Sequence, residues 1–128
     1  MTAASSIFGI DHLQIAIPLG GEDLGRQFYR DVLGLEEIPV PAAVAHLAIA
    51  WFKVGQWQIH IAVDPEFHPA KKAHPALLVR DLSFLRDRLK AANAVIVEAD
   101  PLPGRLRCHV FDPFGNRIEL IENAPSQV

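Results

Sequence analysis

The sequence predicts an α+β fold. Two tandem β-α-β-β-β modules form a curved mixed sheet around a cleft, with the helices outside. Three observations predict it. Short runs with apolar residues at every second position mark strands. Two helical stripes each end on a residue suited to left-handed backbone, Gly34 and Asn93. The order strand, helix, three strands then occurs twice, on either side of a polar, proline-containing linker at 64–73.

Residues 1–6 read as a short polar tail. Within 7–17, Leu13, Ile15 and Ile17 fall on one face and His12, Gln14 and Ala16 on the other, as in a strand. Pro18-Leu19-Gly20-Gly21 breaks it. Leu24, Phe28 and Val32 then recur at i, i+4 and i+8, which predicts a helix over 22–33 closed by Gly34. Residues 36–40 read as a short edge strand, because Pro39 and Pro41 cannot donate to a ladder. A longer apolar strand is expected over 45–54, a turn at Gly55-Gln56, and a strand over 57–63. Trp51 and Trp57 read as core residues.

The second module starts with a strand at 74–80, where Leu77 and Val79 oppose His74 and Ala76. Asp81 is placed to cap a helix carrying Leu82, Leu85 and Leu89. Residues 95–98 form a short strand. Residues 105–111 form another, with Leu106, Cys108 and Val110 on its apolar face. Asp112-Pro-Phe-Gly-Asn116 is turn chemistry, and 117–122 is the last strand. The modules span about 7–64 and 73–123 of one 128-residue domain.

Half of the residues are apolar, enough for a sizeable core without disulfides or a structural metal. A net charge of −3 with no basic block argues against nucleic acid and against an anionic membrane surface. No apolar run reaches the ~18–20 residues of a membrane span. The first residues have neither the basic nor the apolar region of a signal peptide, so a cytoplasmic protein is expected. The lone cysteine, Cys108, excludes an internal disulfide and a multi-cysteine zinc site.

The strand faces opposite the apolar ones carry the chemistry. They hold His12 and Gln14, Gln58 and His60, His74, Arg107 and His109, and Arg117 with Glu119. Imidazoles, amides and guanidinium suit the lining of a pocket better than a solvated face. These residues also repeat. His12 and His74 sit on the first strands of their modules, and His60 and Glu119 on the last. If the two sheets face each other about a pseudo-twofold axis, His12, His60, His74 and Glu119 converge. Three imidazoles and one carboxylate suit Zn²⁺, Ni²⁺, Mn²⁺, Fe²⁺ or Co²⁺. His12, His74 and Glu119 alone form a two-histidine, one-carboxylate set with open positions.

Four stretches carry a family resemblance: DHLQIAI at 11–17, FYRDVLGL at 28–35, His74 within AHPALLVRDL, and DPFGNRIELIE at 112–122. They resemble the vicinal oxygen chelate superfamily, which groups glyoxalase I, bleomycin-resistance proteins, fosfomycin-resistance enzymes and extradiol dioxygenases. The resemblance covers about residues 7–123. It implies paired modules, one divalent metal in the cleft and a homodimer, in some members with the site completed by the partner chain. Glyoxalase I-like members carry a glutamate where His60 stands here.

Two functions follow. In the first, a metalloenzyme (lyase, isomerase or dioxygenase) acts on a small substrate that chelates the metal through neighbouring oxygens. Glu119 or His60 would be its base, His109 a further catalytic candidate, and Arg107, Gln14 and Gln58 substrate-binding or orienting residues. In the second, a binding protein of the bleomycin-resistance type sequesters a small molecule against an aromatic wall.

Overall fold

The computed structural model describes residues 4–123. Eight strands form two four-stranded mixed sheets of identical plan. The first comprises β1 (His12–Ile17), β2 (Glu36–Ile38), β3 (Ala50–Val54) and β4 (Trp57–Val63), in the order β1-β4-β3-β2. The second comprises β5 (Ala76–Val79), β6 (Val95–Glu98), β7 (Arg107–Phe111) and β8 (Arg117–Glu122), in the order β5-β8-β7-β6. In each sheet the first and last strands pair in parallel and the other pairs are antiparallel. The predicted β-α-β-β-β duplication is therefore the observed fold. Among the described residues β1 and β5 have no ladder on their outer edges.

One helix covers each module. The second, α2 (Leu82–Ala91), starts as the sequence requires: the Asp81 side chain accepts from the Phe84 N–H at 2.9 Å. Asn93 closes it with a φ of 58°. The first, α1 (Glu22–Arg26), runs directly into a π-helical turn over Gln27–Val32, where the Leu33 N–H reaches back to the Phe28 carbonyl. That wider turn and a close approach at Gly25 change which side chains point inward. A Cβ on Gly25 would lie 3.0 Å from Ile61 Cδ1, so the sheet packs on the helix backbone there. Gly25, Phe28 and Tyr29 are buried, whereas Leu24, expected in the stripe, is 51% exposed.

Two strand starts and the placement of both tryptophans differ from expectation. The strand expected from 45 begins at Ala50, because Ala42–Leu47 forms a 3-10 helix opened by the Val44 N–H to Pro41 carbonyl bond. Proline presets the first turn and the alanines favour helix. Leu106 is exposed rather than core, since the chain turns at the Leu102–Arg105 bridge and alternation starts only at Arg107. Trp51 pairs across the sheet with His60 and so lies on the polar face, while Trp57 at the hairpin end is 41% exposed. Neither is a core tryptophan.

The apolar faces of both modules merge in one cluster that includes Ile15, Phe52, Ile61, Leu89, Val110 and Leu120, with Cys108 buried as expected. Tyr29 bridges the modules within it, donating to the Asp112 carboxylate at 2.8 Å. Asn116 adds a second bridge, from its side-chain amide to the Ala16 carbonyl at 2.9 Å. The faces that carry the histidines are left uncovered by helices.

Candidate metal centre

The strand registers place the polar residues in matching rows. Gln14, His60 and Trp51 are neighbours across the first sheet; Ala76, Glu119 and His109 are neighbours across the second. His12 stands two residues before Gln14, and His74 two before Ala76. The two sheets thus present the same site plan with different side chains.

In the second sheet His74, His109 and Glu119 come together, their ligand atoms all within 4.8 Å of one another. Glu119 Oε1 lies 3.0 Å from His74 Nε2 and 3.6 Å from His109 Nε2. Arg107 donates to Glu119 Oε2 at 3.3 Å and through Nε to the Asp100 carbonyl. Burial alone would raise the Glu119 pKa. The hydrogen bonds from His74 and Arg107, with the Arg107 and His109 charges, outweigh burial and hold the carboxyl below its ordinary range. Burial lowers the His109 pKa against the attraction of Glu119, and the Arg117, His74 and Arg107 charges lower it further. At neutral pH this leaves an ionised carboxylate beside a neutral His109 imidazole, the protonation states that metal ligands need.

In the first sheet three rings stack. Trp51 lies parallel on His60 with centroids 3.9 Å apart, and His12 lies on the other side at 4.0 Å. Gln58 Oε1 is 2.8 Å from His60 Nε2, and Asp11 Oδ2 is 2.8 Å from His12 Nδ1. Burial, then the neighbouring His12, lower the His60 pKa, against the Asp11 charge.

Within one chain, then, the four residues expected to converge divide into two pairs. His74 and Glu119 meet, His12 and His60 meet, and neither His12 nor His60 joins the group around Glu119. His109, read from the sequence as a catalytic candidate, stands among the ligand-type atoms. A sequence signal for this existed. Counting outward from the Asp112–Asn116 turn pairs Phe111 with Arg117 and hence His109 with Glu119. His74 precedes β5 rather than lying within it.

Each predicted histidine ligand has one ring nitrogen held by an oxygen, the arrangement that fixes a metal-binding imidazole. The His74 case tests the fit most directly. Its Nδ1 faces the Lys72 carbonyl, which can only accept, so Nδ1 carries a proton. Its Nε2 stands 3.0 Å from Glu119 Oε1, so either a proton or a cation lies between the two atoms. The donor set and this geometry fit a divalent transition metal.

A cavity of about 450 Å³ opens beside His74, between the outer edge of β1 and the segment before β5. Gln14, His68, Asn116 and Arg117 line it with the small side chains of Ala16 and Ala73. Gln14 thus reaches the cavity, whereas Gln58 is engaged by His60 and Arg107 by Glu119. Among the described residues no helix is long and apolar enough to cross a membrane.

Comparison with known proteins agrees with this fold. A glyoxalase family protein from Bacillus anthracis is 41% identical over 95% of this chain and 100% of its own, with a TM-score of 0.88. A lactoylglutathione lyase from Agrobacterium tumefaciens is 20% identical, covering 93% of this chain and 96% of its own at a TM-score of 0.70. A genomically encoded fosfomycin resistance protein from Listeria monocytogenes is 15% identical, covering 94% and 98% at 0.72. The last two share the fold alone. No curated protein shows a significant match. The model of the glyoxalase/bleomycin resistance protein/dioxygenase superfamily matches residues 9–120, and the chain belongs to that superfamily.

Proposed function

We propose that the protein is a divalent-metal-dependent enzyme of the glyoxalase type. Its substrate is a small molecule that presents two neighbouring oxygens to the metal. The ligands are His12, His60, His74 and Glu119, with the His12–His60 pair of one chain completed by His74 and Glu119 of a second copy in a homodimer. The observation that carries the reading is His74 Nε2 standing 3.0 Å from Glu119 Oε1, with Nδ1 already committed to a backbone carbonyl.

A bound divalent ion would act as a Lewis acid on the two substrate oxygens. The protein supplies the rest. Glu119 would accept the substrate proton on an oxygen released from the metal, and Arg107 holds its other oxygen in place. Trp51 and Gln58 fix the plane and rotation of His60 for its place in the ligand set. The cavity beside His74 admits the substrate.

The test is metal analysis of protein purified without chelator, with His12→Ala and Glu119→Ala alongside. About one transition metal per chain, lost in both variants, is expected. Mixing the two variants after dissociation then distinguishes a shared site from a single-chain site. Random pairing rebuilds one intact site in each mixed dimer, so roughly a quarter of the wild-type metal content returns. Metal in the wild type with no return on mixing would refute the shared site. A wild type that takes up no Zn²⁺, Ni²⁺, Mn²⁺, Fe²⁺ or Co²⁺ would refute the enzyme reading and favour a small-molecule binder.

A further inference from the structure

Arg117 opens β8 two residues before Glu119, and alternation puts both on the uncovered face of the second sheet. Its guanidinium carbon lies 5.5 Å from the centroid of Phe111, its partner across the hairpin. Arg26, Arg30, Arg86 and Arg107 each have a carboxylate oxygen within 4.0 Å. Among the described residues Arg80, Arg88, Arg105 and Arg117 have none, and the buried Nε of Arg117, like that of Arg105, has no hydrogen-bond partner; of these four only Arg117 lines the cavity beside His74. A guanidinium cannot shed its proton, so a donor removed from water without an acceptor is left uncompensated.

The surroundings point the same way. Arg117 lines the 450 Å³ cavity together with His74, and none of the described residues lining that cavity is acidic. Asn116, next to Arg117 in the same wall, has spent its amide nitrogen on the Ala16 carbonyl and the Asp112 carboxylate. The cavity thus has a guanidinium in the wall that also carries His74, with no anion of the described chain to answer it.

We propose that Arg117 binds the carboxylate of an organic acid substrate, whose neighbouring oxygens lie toward His74 and Glu119. This rests on the metal-centre reading and narrows its substrate to anions. Arg117 determines specificity and takes no part in bond making. The planar fork of the guanidinium matches a carboxylate in two parallel hydrogen bonds, and Phe111 under it limits its rotation.

The experiment compares catechol with protocatechuate, which share a vicinal hydroxyl pair and differ by one carboxylate. Both are titrated calorimetrically into metal-free and Zn²⁺-loaded protein. The wild type is expected to bind protocatechuate about tenfold more tightly in either form, as a hydrogen bond to a charged group implies. Arg117→Gln is expected to bind the two alike, and Arg117→Lys to keep part of the preference. Equal binding of the pair by the wild type, binding of neither, or a full preference surviving in folded Arg117→Gln would overturn the proposal. If Arg117→Gln does not fold, Arg117→Lys decides: an undiminished preference overturns the proposal and a reduced one supports it. The metal assay keeps the two readings apart. Discrimination by protein that takes up no metal would sink the metal centre and leave Arg117 standing; metal uptake without discrimination would do the reverse.

Discussion

Replacing Tyr29 by phenylalanine removes one oxygen from the joint between the modules and little else. The ring is fully buried, edge-on to Phe28 at 5.1 Å and tilted against Phe52 at 6.0 Å, contacts that phenylalanine keeps. What is lost is the 2.8 Å bond to Asp112, itself 4% exposed. Asp112 retains the backbone N–H groups of Phe114 and Asn116 and the Asn116 amide, so its charge does not become an orphan. The loss is therefore that of one hydrogen bond to a charged group, about 1.5–3 kcal/mol. Urea denaturation at pH 7 should show it as a lower midpoint with an unchanged slope.

A second arm of the same experiment uses pH. Burial raises the Tyr29 pKa well above its ordinary value, and the Asp112 charge and hydrogen bond raise it further. A group raised in the folded state contributes stability that is complete below its unfolded pKa and is lost as pH climbs toward the folded one. The wild type should therefore weaken above about pH 10 by up to ~1.4 kcal/mol per pH unit from this residue, and Tyr29→Phe should not. The gap between the two closes with rising pH. Tyr29 is the only tyrosine, so phenolate absorbance follows the group directly. A variant as stable as the wild type at pH 7, or a gap of constant size into the alkaline range, would show that the Tyr29–Asp112 bond does not join the modules.

Two other predictions concern stability and reactivity. Gly34 closes the first helix at a φ of +79°, and a Cβ there would stand 3.0 Å from Arg88 Nη1, so Gly34→Ala should cost about 1–2 kcal/mol in the same denaturation assay. Cys108 is buried, and burial raises its thiol pKa, so a thiol reagent at pH 7.5 should modify it only at the rate of unfolding.

Local signals were legible in the sequence where one residue decides the geometry. Gly34 and Asn93 lie at positive φ, and Asp81 caps its helix, because each choice is dictated by backbone within a few residues. The duplication was legible because alternation and helical spacing repeat. Periodicity shows which face a side chain shares, not how two sheets sit against each other. His74 meets Glu119 because β5 and β8 pair in parallel with Ala76 opposite Glu119, which leaves the segment just before β5 beside that carboxylate. His12 and His60 belong to the other sheet, and nothing in their spacing could show that one chain keeps the pairs apart. Leu24 and Leu106 failed for a related reason: a π-helical turn and a bridged loop each shift the phase on which the reading depended.

The π-helical turn of the first helix has a consequence for chain length. Its i−5 bond from Leu33 to Phe28 encloses one residue more than an α-helical turn would. Deleting a residue at Gln27 would restore ordinary spacing and swing the preceding helix by about 100° relative to Phe28 and Tyr29. Gly25 would leave the contact with Ile61, and a side chain would have to enter where only backbone now fits. This chain shortened by one residue at the turn therefore could not seat its helix on the sheet and Tyr29 on Asp112 at once.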